Sequence, residues 1–271
     1  MADIVLGLKR AYWQAHRRSS ALRRALATRM ERRVRIGNRV IGPSNSVGDF
    51  YAAYFGSPAE KCLVQVGAND GIMCDPLRRY LAPSRQQQNF RAVLIEPIPF
   101  YCDRLRTLYA DYPNITVINA ACGAAAGSAP LYYIDPAVAD RMNGNGPAND
   151  WAHGQGSFDR AVVEYWIERN RFRGEDYVRE IDTFHAAIRS IDVSIMRLAD
   201  VPLFQHGRNI LVVMDVQGFE FDVIRGIAWN FPPSFIVFED DLKKSDAIGA
   251  YLAERGFTYL CGRTDKVYMR T

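Results

Sequence analysis

The sequence predicts an α/β fold in which a doubly wound sheet carries helices on both of its faces. Three short apolar runs lead to this prediction, and they are Cys62–Val66, Ala92–Ile95 and Ile210–Met214. Charge-free runs of this kind are typical of buried parallel strands. Each run ends in a turn and is followed by a segment with helical spacing, which is the strand–helix alternation of this fold class.

The remaining elements continue this alternation along the chain. We predict helices at Val47–Phe55, Pro76–Leu81, Pro99–Tyr112, Arg160–Arg173, Glu220–Gly226 and Ser245–Gly256. We predict further strands at Ile115–Gly123, Leu131–Ile134, Ile188–Val193, Phe235–Asp240, Phe257–Cys261 and Lys266–Met269. The last two strands form a hairpin, so the predicted Rossmann-like sheet has seven strands and an antiparallel last pair.

The composition limits the class of protein. The 271 residues suit one large domain with an appendage. The five cysteines are scattered without a C-x-x-C pair, which predicts reduced thiols in a cytoplasmic protein and neither a disulfide framework nor a zinc site. No apolar run approaches the roughly 18–20 residues of a membrane span, and no apolar signal segment follows the N-terminus.

The basic residues are concentrated at the N-terminus. Residues 1–40 contain 11 Lys and Arg against two acidic residues, whereas the rest of the chain contains 23 against 28. We therefore divide the chain into a basic helical segment with a linker, residues 1–45, and a domain over residues 46–271. The segment is interpreted as a solvated helix over residues 2–34, with peripheral contact to an anionic inner membrane surface as the alternative. No aromatic-rich recognition module follows, which disfavours nucleic acid as a partner.

The loop after the first apolar run is the first candidate binding element. It carries Gly67 and Gly71, with Asn69 between them. Glycine allows tight turns and a close approach to a ligand, and nucleotide-like ligands bind beyond the carboxyl ends of such strands. As a dinucleotide fingerprint, G-x-G-x-x-G, the loop places Asn69 and Ile72 where glycines belong. As the S-adenosylmethionine motif, [DE]-x-G-x-G-x-G, it keeps two glycines and begins with Gln65. A tight turn without a ligand is the alternative.

Further candidate residues lie at the ends of the next strands. Glu96 ends the second run before Pro97, and a carboxylate there can accept both hydroxyls of a ribose. Ala120 and Ala121 end the third strand, where small side chains either let an adenine ring lie against the backbone or simply serve packing. Asp215 ends the strand that should lie beside the first loop.

A stretch of different character runs from about residue 135 to residue 189. It is too long for an ordinary loop, and such insertions commonly form lids or binding segments. It contains His153 and Ser157 in a glycine-rich part, and Trp166 and Phe172 in a helical part. We predict that this insertion covers the substrate.

Taken together, these stretches resemble the FkbM-type family of S-adenosylmethionine-dependent methyltransferases. The matching stretches are Val64–Gly71, Asp75–Leu77, Leu94–Pro97, Gly156–Phe158, Met214–Glu220 and Phe238–Glu239. The resemblance covers about residues 46–271, so the basic N-terminal segment lies outside it.

The resemblance implies methyl transfer from S-adenosylmethionine to a hydroxyl of a sugar in a glycan or glycosylated natural product. Carried onto this chain, the cofactor-binding residues would be Gln65, Gly67, Ala68, Asn69, Asp70, Gly71, Glu96, Pro97, Ala120, Ala121 and Asp215, with Asp215 facing the cofactor's amino group or the reaction centre. Ser157 and Gln217 would contact the substrate. The family usually has Glu in its D-x-E-G motif, and Gln217 stands there in this chain.

The catalytic requirement is a base, because a sugar hydroxyl is a poor nucleophile. The candidates are His153 in the insertion and Asp215 at its strand end. We predict no metal, with an oxygen-ligand magnesium site at Asp215, Glu239 and Asp240 as the weaker alternative.

Two other functions compete with a methyltransferase. One is a non-catalytic protein that binds S-adenosylmethionine or a partner. The other is a nicotinamide-dependent oxidoreductase, which Asn69 disfavours because it stands at the position of close approach to the pyrophosphate. The expected methyl acceptor is a small molecule or a glycan, while the sequence leaves the oligomeric state open.

Overall fold

The computed structural model describes residues 33–73, 75–86, 89–143, 151–173, 175–206, 208–240 and 245–271. The chain divides into two compact units, one comprising Met1–Pro58 with Phe235–Thr271 and the other Ala59–Ser234. The basic helical segment predicted for residues 2–34 lies outside the described residues as far as residue 32.

The elements are numbered in chain order. The strands are β1 Val34–Ile36, β2 Arg39–Ile41, β3 Lys61–Val66, β4 Phe90–Ile95, β5 Ile115–Ile118, β6 Ala121–Cys122, β7 Gly127–Ile134, β8 Gly156–Ser157, β9 Ile188–Met196, β10 Ile210–Met214, β11 Phe235–Glu239, β12 Phe257–Cys261 and β13 Asp265–Arg270. The helices are α1 Val47–Gly56, α2 Arg78–Leu81, α3 Pro99–Leu108, α4 Pro136–Asn143, α5 Arg160–Arg169, α6 Glu175–Ala186, α7 Leu203–His206, α8 Glu220–Arg225 and α9 Ser245–Ala253. Short 3-10 helices occupy Ala82–Gln86, Asn170–Arg173 and Leu198–Asp200.

A parallel sheet with the strand order β10-β3-β4-β5 forms the centre of the larger unit. Every residue of β3 and β10 is buried, as expected for strands covered on both faces. Val66 pairs with Met214 on one side and with Ile95 on the other, so the carboxyl ends of these strands lie level. The predicted α/β fold with a parallel sheet is confirmed.

The order of the strands creates a switch point beside β3. The chain runs from β3 to β4 and β5 in one direction, whereas β10 lies on the opposite side of β3. In open α/β sheets a crevice forms beyond the carboxyl ends of the strands at such a point, and ligands bind there. The loops after β3 and β10 border this crevice.

The strand predicted at residues 115–123 is two strands. Asn119 Nδ2 donates to the carbonyl oxygens of Glu96 and Pro97, at 2.8 and 3.0 Å. These bonds hold the chain just beyond the end of β4, where it leaves the parallel sheet. β6 then pairs in parallel with β9 in a second sheet of order β6-β9-β7-β8.

The second sheet and the insertion share a hydrophobic core of their own. β7 and β9 pair antiparallel from Gly127 and Ile195 to Ile134 and Ile188, which is a much longer ladder than the sequence predicted. Side chains from the insertion and its flanks pack together there, namely Ile134, Ala139, Ala152, Val163, Ile167, Tyr177, Ile181, Phe184, Ala187 and Ile188. The predicted cover is therefore a packed element with a defined interior.

The smaller unit contains the predicted C-terminal hairpin. β13 pairs antiparallel with both β12 and β11. At the start of α1, Ser46 Oγ accepts from the backbone N–H of Asp49, whose carboxylate accepts from the backbone N–H of Ser46. This reciprocal capping makes Ser46 the N-cap of α1.

Several predicted boundaries need correction. α5 ends at Arg169 and not Arg173, and α9 ends at Ala253 and not Gly256. β1 and β2 form an antiparallel hairpin, so residues 34–41 belong to neither a helix nor a linker. The helix after the first loop begins at Arg78 instead of Pro76, because Asp75 Oδ1 accepts from the backbone N–H of Leu77 and closes a turn ahead of it. α3 ends at Leu108, four residues before the predicted end. No helix within the described ranges is long and apolar enough to cross a membrane.

Candidate functional site

Gly67 brings the ends of β3 and β10 into contact. Its backbone has φ +76°, and a Cβ added there would lie 2.0 Å from the carbonyl oxygen of Asp215. Its N–H donates to the carbonyl oxygen of Ile95 at 2.9 Å. An L-residue would therefore meet both a strained backbone conformation and a clash with another backbone. The position requires glycine because two strand ends meet there.

The rest of the loop is held by polar contacts. Asn69 has φ +51°, a left-handed conformation that asparagine tolerates better than most residues. Its N–H donates to Glu96 Oε2 at 2.9 Å. Asp70 is buried, and its Oδ1 accepts from the N–H groups of Ile72 and Met73, both at 2.9 Å. The buried Ala68 donates its N–H to Ile95.

Glu96 is a buried carboxylate at the end of β4, with only 4% of the residue exposed. Its Oε1 accepts from the N–H of Ile98 and its Oε2 from the N–H of Asn69, each at 2.9 Å. Burial raises the pKa of Glu96 to about 7 despite these two hydrogen bonds, and the carboxylates of Asp215 and Asp70 contribute in the same direction. Each carboxylate oxygen has two lone pairs, so both can still accept a hydroxyl.

Asp215 lies across the crevice edge from Glu96, and it is exposed. Its N–H donates to the carbonyl oxygen of Val66 at 3.1 Å, which places it directly beside the glycine loop. Gln217 Nε2 donates to Asp215 Oδ1 at 2.8 Å, and Gln217 has φ +49°. Ser157 is buried, and its Oγ donates to the carbonyl oxygen of Gln217 at 3.3 Å. Ser157 thus connects the insertion to the turn after β10.

His153 occupies a charged network that the sequence did not predict. Its Nε2 lies 3.1 Å from Asp140 Oδ1, and its side chain is only 3% exposed. Arg104 Nη2 lies 2.9 Å from Asp140 Oδ2, while Arg104 Nη1 lies 3.5 Å from Asp70 Oδ2. A Cβ added at Gly154 would lie 2.5 Å from Asn69 Nδ2. The insertion is therefore attached to the glycine loop at two neighbouring points.

The remaining predicted cofactor-binding residues lie near the carboxyl ends of the parallel strands. Ala120 and Ala121 are both buried where the chain leaves the parallel sheet. Pro97 follows Glu96, and its carbonyl accepts from Asn119. Gln65 is buried one residue before the end of β3, and its Nε2 donates to Asp75 Oδ1 at 3.3 Å.

The acids of the alternative magnesium site are distributed over both units. Asp215 follows β10 in the larger unit, whereas Glu239 ends β11 and Asp240 follows it in the smaller one. Among the residues that the structure describes, no group of three or more His, Cys, Asp or Glu could hold a metal ion.

The sequence model of the FkbM methyltransferase domain matches residues 65–259, which is more than two thirds of the chain. The chain belongs to this family. The resemblance predicted from the sequence is confirmed. The protein is a methyltransferase, and its family implies S-adenosylmethionine as the methyl donor. The matched range begins at Gln65 and includes every predicted site residue.

Two solved methyltransferase structures are similar to this chain. One is a precorrin-6y C5,15-methyltransferase from Geobacter metallireducens GS-15, with a TM-score of 0.38, 9% identity, and coverage of 83% of this chain and 88% of that one. The other, from Pyrococcus horikoshii, is named as a candidate RNA methyltransferase, with a TM-score of 0.37, 8% identity and coverage of 83% of each chain. No curated protein matches the chain.

The residues at the crevice fit S-adenosylmethionine. Gly67 and Gly71 take the positive φ values that a close-fitting loop requires, and Glu96 has spare acceptor capacity for two hydroxyls. Asn69 Oδ1 is buried and has no hydrogen-bond partner among the described residues. Such a buried acceptor is costly unless a ligand or water satisfies it.

Proposed function

We propose that this protein transfers a methyl group from S-adenosylmethionine to a sugar hydroxyl of a glycan or glycosylated natural product. The observation that carries the proposal is the exposed carboxylate of Asp215 beside the glycine loop. It gives the crevice a proton acceptor on the side opposite the buried Glu96. The family match supports the methyl transfer, and the choice of a hydroxyl as acceptor rests on this carboxylate.

The cofactor residues have separate tasks in this proposal. Glu96 would accept the two ribose hydroxyls through the lone pairs that the N–H groups of Asn69 and Ile98 leave available. Ala120 and Ala121 would border the adenine, since their small side chains permit a flat ring to lie close to the backbone. When bound, S-adenosylmethionine supplies an electrophilic methyl group on a sulfonium.

The proton of the acceptor hydroxyl would pass to Asp215. A hydroxyl becomes an effective nucleophile when a base within hydrogen-bond reach removes its proton. Gln217 holds one oxygen of this carboxylate through its Nε2, and the buried Gln217 Oε1 has no partner in the described part of the chain. That amide oxygen would accept a second hydroxyl of the sugar. His153 is buried against Asp140, so we assign it to positioning the insertion and not to proton transfer.

The proposal is tested first by calorimetric titration with S-adenosylmethionine, S-adenosylhomocysteine and NAD, repeated on Glu96→Ala. We expect the first two to bind in the micromolar range, NAD not to bind, and the variant to lose about 100-fold in affinity because two charge-assisted hydrogen bonds disappear. If S-adenosylmethionine and S-adenosylhomocysteine bind Glu96→Ala as tightly as the unaltered chain, the assignment of the ribose site is wrong.

The acceptor is tested by transfer of a labelled methyl group to a panel of glycans, glycosides and non-sugar hydroxyl compounds. Methylation of sugar hydroxyls that Asp215→Asn abolishes would support the proposal. Cofactor binding without turnover on any acceptor would favour the non-catalytic alternative. Methylation confined to non-sugar acceptors would overturn the sugar assignment and leave the cofactor site intact.

We also infer that the basic N-terminal segment brings the enzyme to the inner, anionic membrane surface, where a lipid-linked glycan would be the acceptor. Eight Lys and Arg stand against two acidic residues in residues 1–32. Removing residues 1–32 leaves the β1–β2 hairpin complete, because β1 begins at Val34. We expect the shortened chain to lose sedimentation with vesicles containing phosphatidylserine, and unchanged sedimentation would refute this inference.

A further inference from the structure

The β1–β2 hairpin has one face turned inward and one face turned to solvent. Ile36 and Ile41 are only 8% and 1% exposed, whereas Val40 is 50% exposed. Successive side chains of a strand point to opposite faces, so Val40 lies on the side of the ribbon away from Ile41. The outer face of the hairpin therefore includes an accessible apolar side chain.

The hairpin is packed against α1 within the smaller unit. Gly37 has φ +54°, and a Cβ added there would lie 3.1 Å from the Cβ of Ser57, the C-cap of α1. β2 also contacts α1 along its length, and Ile36 and Ile41 are buried on this side. These contacts hold the ribbon in place, so its outer face is presented in one orientation.

The outer face combines this valine with positive charge. Arg35 pairs directly opposite Val40, so the two side chains share a face. Arg33 stands two residues before Arg35, and the same alternation places it on that side. Both arginines are exposed, and neither forms an ion pair with a residue that the structure describes. Their guanidinium groups are therefore available to an anionic partner.

The charge of the hairpin continues that of the preceding segment. Residues 33–41 contain three arginines and no acidic residue, and residues 1–32 contain eight Lys and Arg against two acidic residues. Residues 42–271 contain 23 Lys and Arg against 28 Asp and Glu. A chain with a basic face and an acidic body approaches an anionic surface with the basic face forward, because the body is repelled.

An anionic lipid surface fits this face better than a nucleic acid. The negative surface potential of anionic lipids attracts arginines, and an exposed apolar side chain among them can enter the boundary between head groups and acyl chains. Nucleic acids with accessible bases are bound through aromatic side chains that stack on those bases, and residues 33–41 contain no aromatic residue. Val40 therefore has a role at a lipid surface that a phosphate backbone does not offer it.

We propose that the outer face of the β1–β2 hairpin, formed by Arg33, Arg35 and Val40, docks onto an anionic lipid surface and orients the protein there. The proposal rests on the part of the proposed function in which residues 1–32 bring the chain to a membrane. The hairpin adds a folded contact, which orients the body as well as tethering it. Because its arginines are fewer than the eight basic residues of the preceding segment, removal of residues 1–32 still abolishes sedimentation with vesicles.

The test measures sedimentation of the full chain with phosphatidylcholine vesicles that contain or lack phosphatidylserine. The double variant Arg33→Gln with Arg35→Gln removes both charges of the outer face. We expect it to bind the phosphatidylserine vesicles about 10-fold to 30-fold more weakly, since each basic residue near such a surface contributes about fivefold. Val40→Thr keeps the β-branched shape and replaces a methyl group with a hydroxyl, and it should weaken binding about threefold.

Arg78→Gln with Arg79→Gln is the matched control for the double variant. Both arginines are exposed on α2 in the larger unit, and their loss removes the same charge from the chain. We expect this control to change vesicle binding by less than about twofold, because the contact belongs to the hairpin. Urea unfolding of each variant checks that the fold is kept, and Val40→Thr decides the matter if the double hairpin variant is unstable.

The outcomes separate the hairpin from the segment before it. If the hairpin variants sediment as well as the unaltered chain, residues 1–32 bind alone and the hairpin proposal is overturned. Equal losses in the hairpin variant and the control also overturn it, because only net charge then matters. Tighter binding to duplex DNA than to vesicles, weakened by the same variants, would make a nucleic acid the partner and overturn the lipid assignment. If the unaltered chain does not sediment, the membrane inference fails and the hairpin proposal fails with it.

Discussion

Glu96 and Asp215 are acids at the ends of two strands that flank β3, and they differ in burial and in hydrogen-bond donors. Glu96 is buried, accepts a backbone N–H on each oxygen, and has a pKa raised to about 7. Asp215 is exposed and accepts from a side-chain amide. The two strand ends are level in the sheet, so the difference arises from what the following loops place around each carboxylate.

This contrast teaches how one crevice can separate binding from reaction. A carboxylate fixed by backbone donors keeps its position when a ligand arrives, which suits recognition of a constant part of the ligand. A solvent-facing carboxylate can meet an incoming acceptor and exchange a proton. The assignment of Glu96 to the cofactor and Asp215 to the acceptor follows from these environments.

The largest effect is expected where the two strand ends touch. Gly67→Ala would place a Cβ 2.0 Å from the carbonyl oxygen of Asp215 at φ +76°. We expect the free energy of unfolding to fall by about 4 kcal/mol or more, because both backbones must shift. Urea unfolding measures this.

Gly56→Ala is the matched control for that substitution. Gly56 is the last residue of α1, and an added Cβ there meets nothing within 4 Å. The control should be neutral or stabilising by up to about 1 kcal/mol. A stable Gly67→Ala chain would show that β3 and β10 do not require the close approach.

Asp215→Asn should remove the exposed carboxylate that the proposed function assigns to proton transfer. We expect kcat to fall about 100-fold to 1,000-fold, since general-base assistance is lost. Affinity for S-adenosylhomocysteine should change by less than about threefold, because the proposed function assigns the ribose of the cofactor to Glu96. Steady-state kinetics and titration together check both statements. A loss of cofactor affinity with kcat retained would reverse the two assignments.

The buried carboxylate of Glu96 should make the stability of the protein depend on pH. Because the pKa of Glu96 is raised from 4.5 to about 7, the folded protein binds a proton that the unfolded chain has already released between these values. The contribution of Glu96 to stability is therefore fully present below about pH 4.5 and is lost as the pH rises through 7, by on the order of 3 kcal/mol. Urea unfolding of the wild type and Glu96→Gln at pH 5 and pH 8 isolates this contribution, which the neutral variant should lack.

The smallest effect is expected at the attachment of the insertion. Arg104→Gln removes the cation between Asp70 and Asp140, and we expect a loss of about 1 kcal/mol in unfolding free energy. Arg106→Gln, on the same helix and paired only with the exposed Asp103 in the described contacts, should cost less than about 0.5 kcal/mol. Equal effects would mean that Arg104 does not anchor the insertion.

The sequence predicted the parallel sheet well because its strands are buried on both faces. β3 and β10 consist of buried residues throughout, so the apolar run and the strand coincide almost to the residue. β9 is different, since Ser190, Asp192 and Ser194 interrupt its apolar residues, and only part of it was predicted. The β1–β2 hairpin did carry a signal, the Gly37-Asn38 turn between two short apolar alternations, but its arginines led to its inclusion in the basic segment.

Local motifs predicted part of the site, and tertiary contacts determine the rest. Glu96 and Asp215 could be found because each ends a strand. Arg104 could not be distinguished from any solvated arginine on an amphipathic helix, since its role depends on Asp140 from a distant helix. His153 was a reasonable candidate base, but no sequence feature reveals that its side chain is enclosed beside that same acid.

The separate core of the insertion has an evolutionary consequence. Its interior is built from residues 134–188, so substitutions on its outer surface need not disturb the glycine loop or Glu96. On the prediction that this segment covers the substrate, substitutions there would change the acceptor preference and leave the predicted cofactor residues unchanged. An insertion exchanged between relatives should carry its preference to the new host, provided that Asp140 still finds an arginine at the position of Arg104.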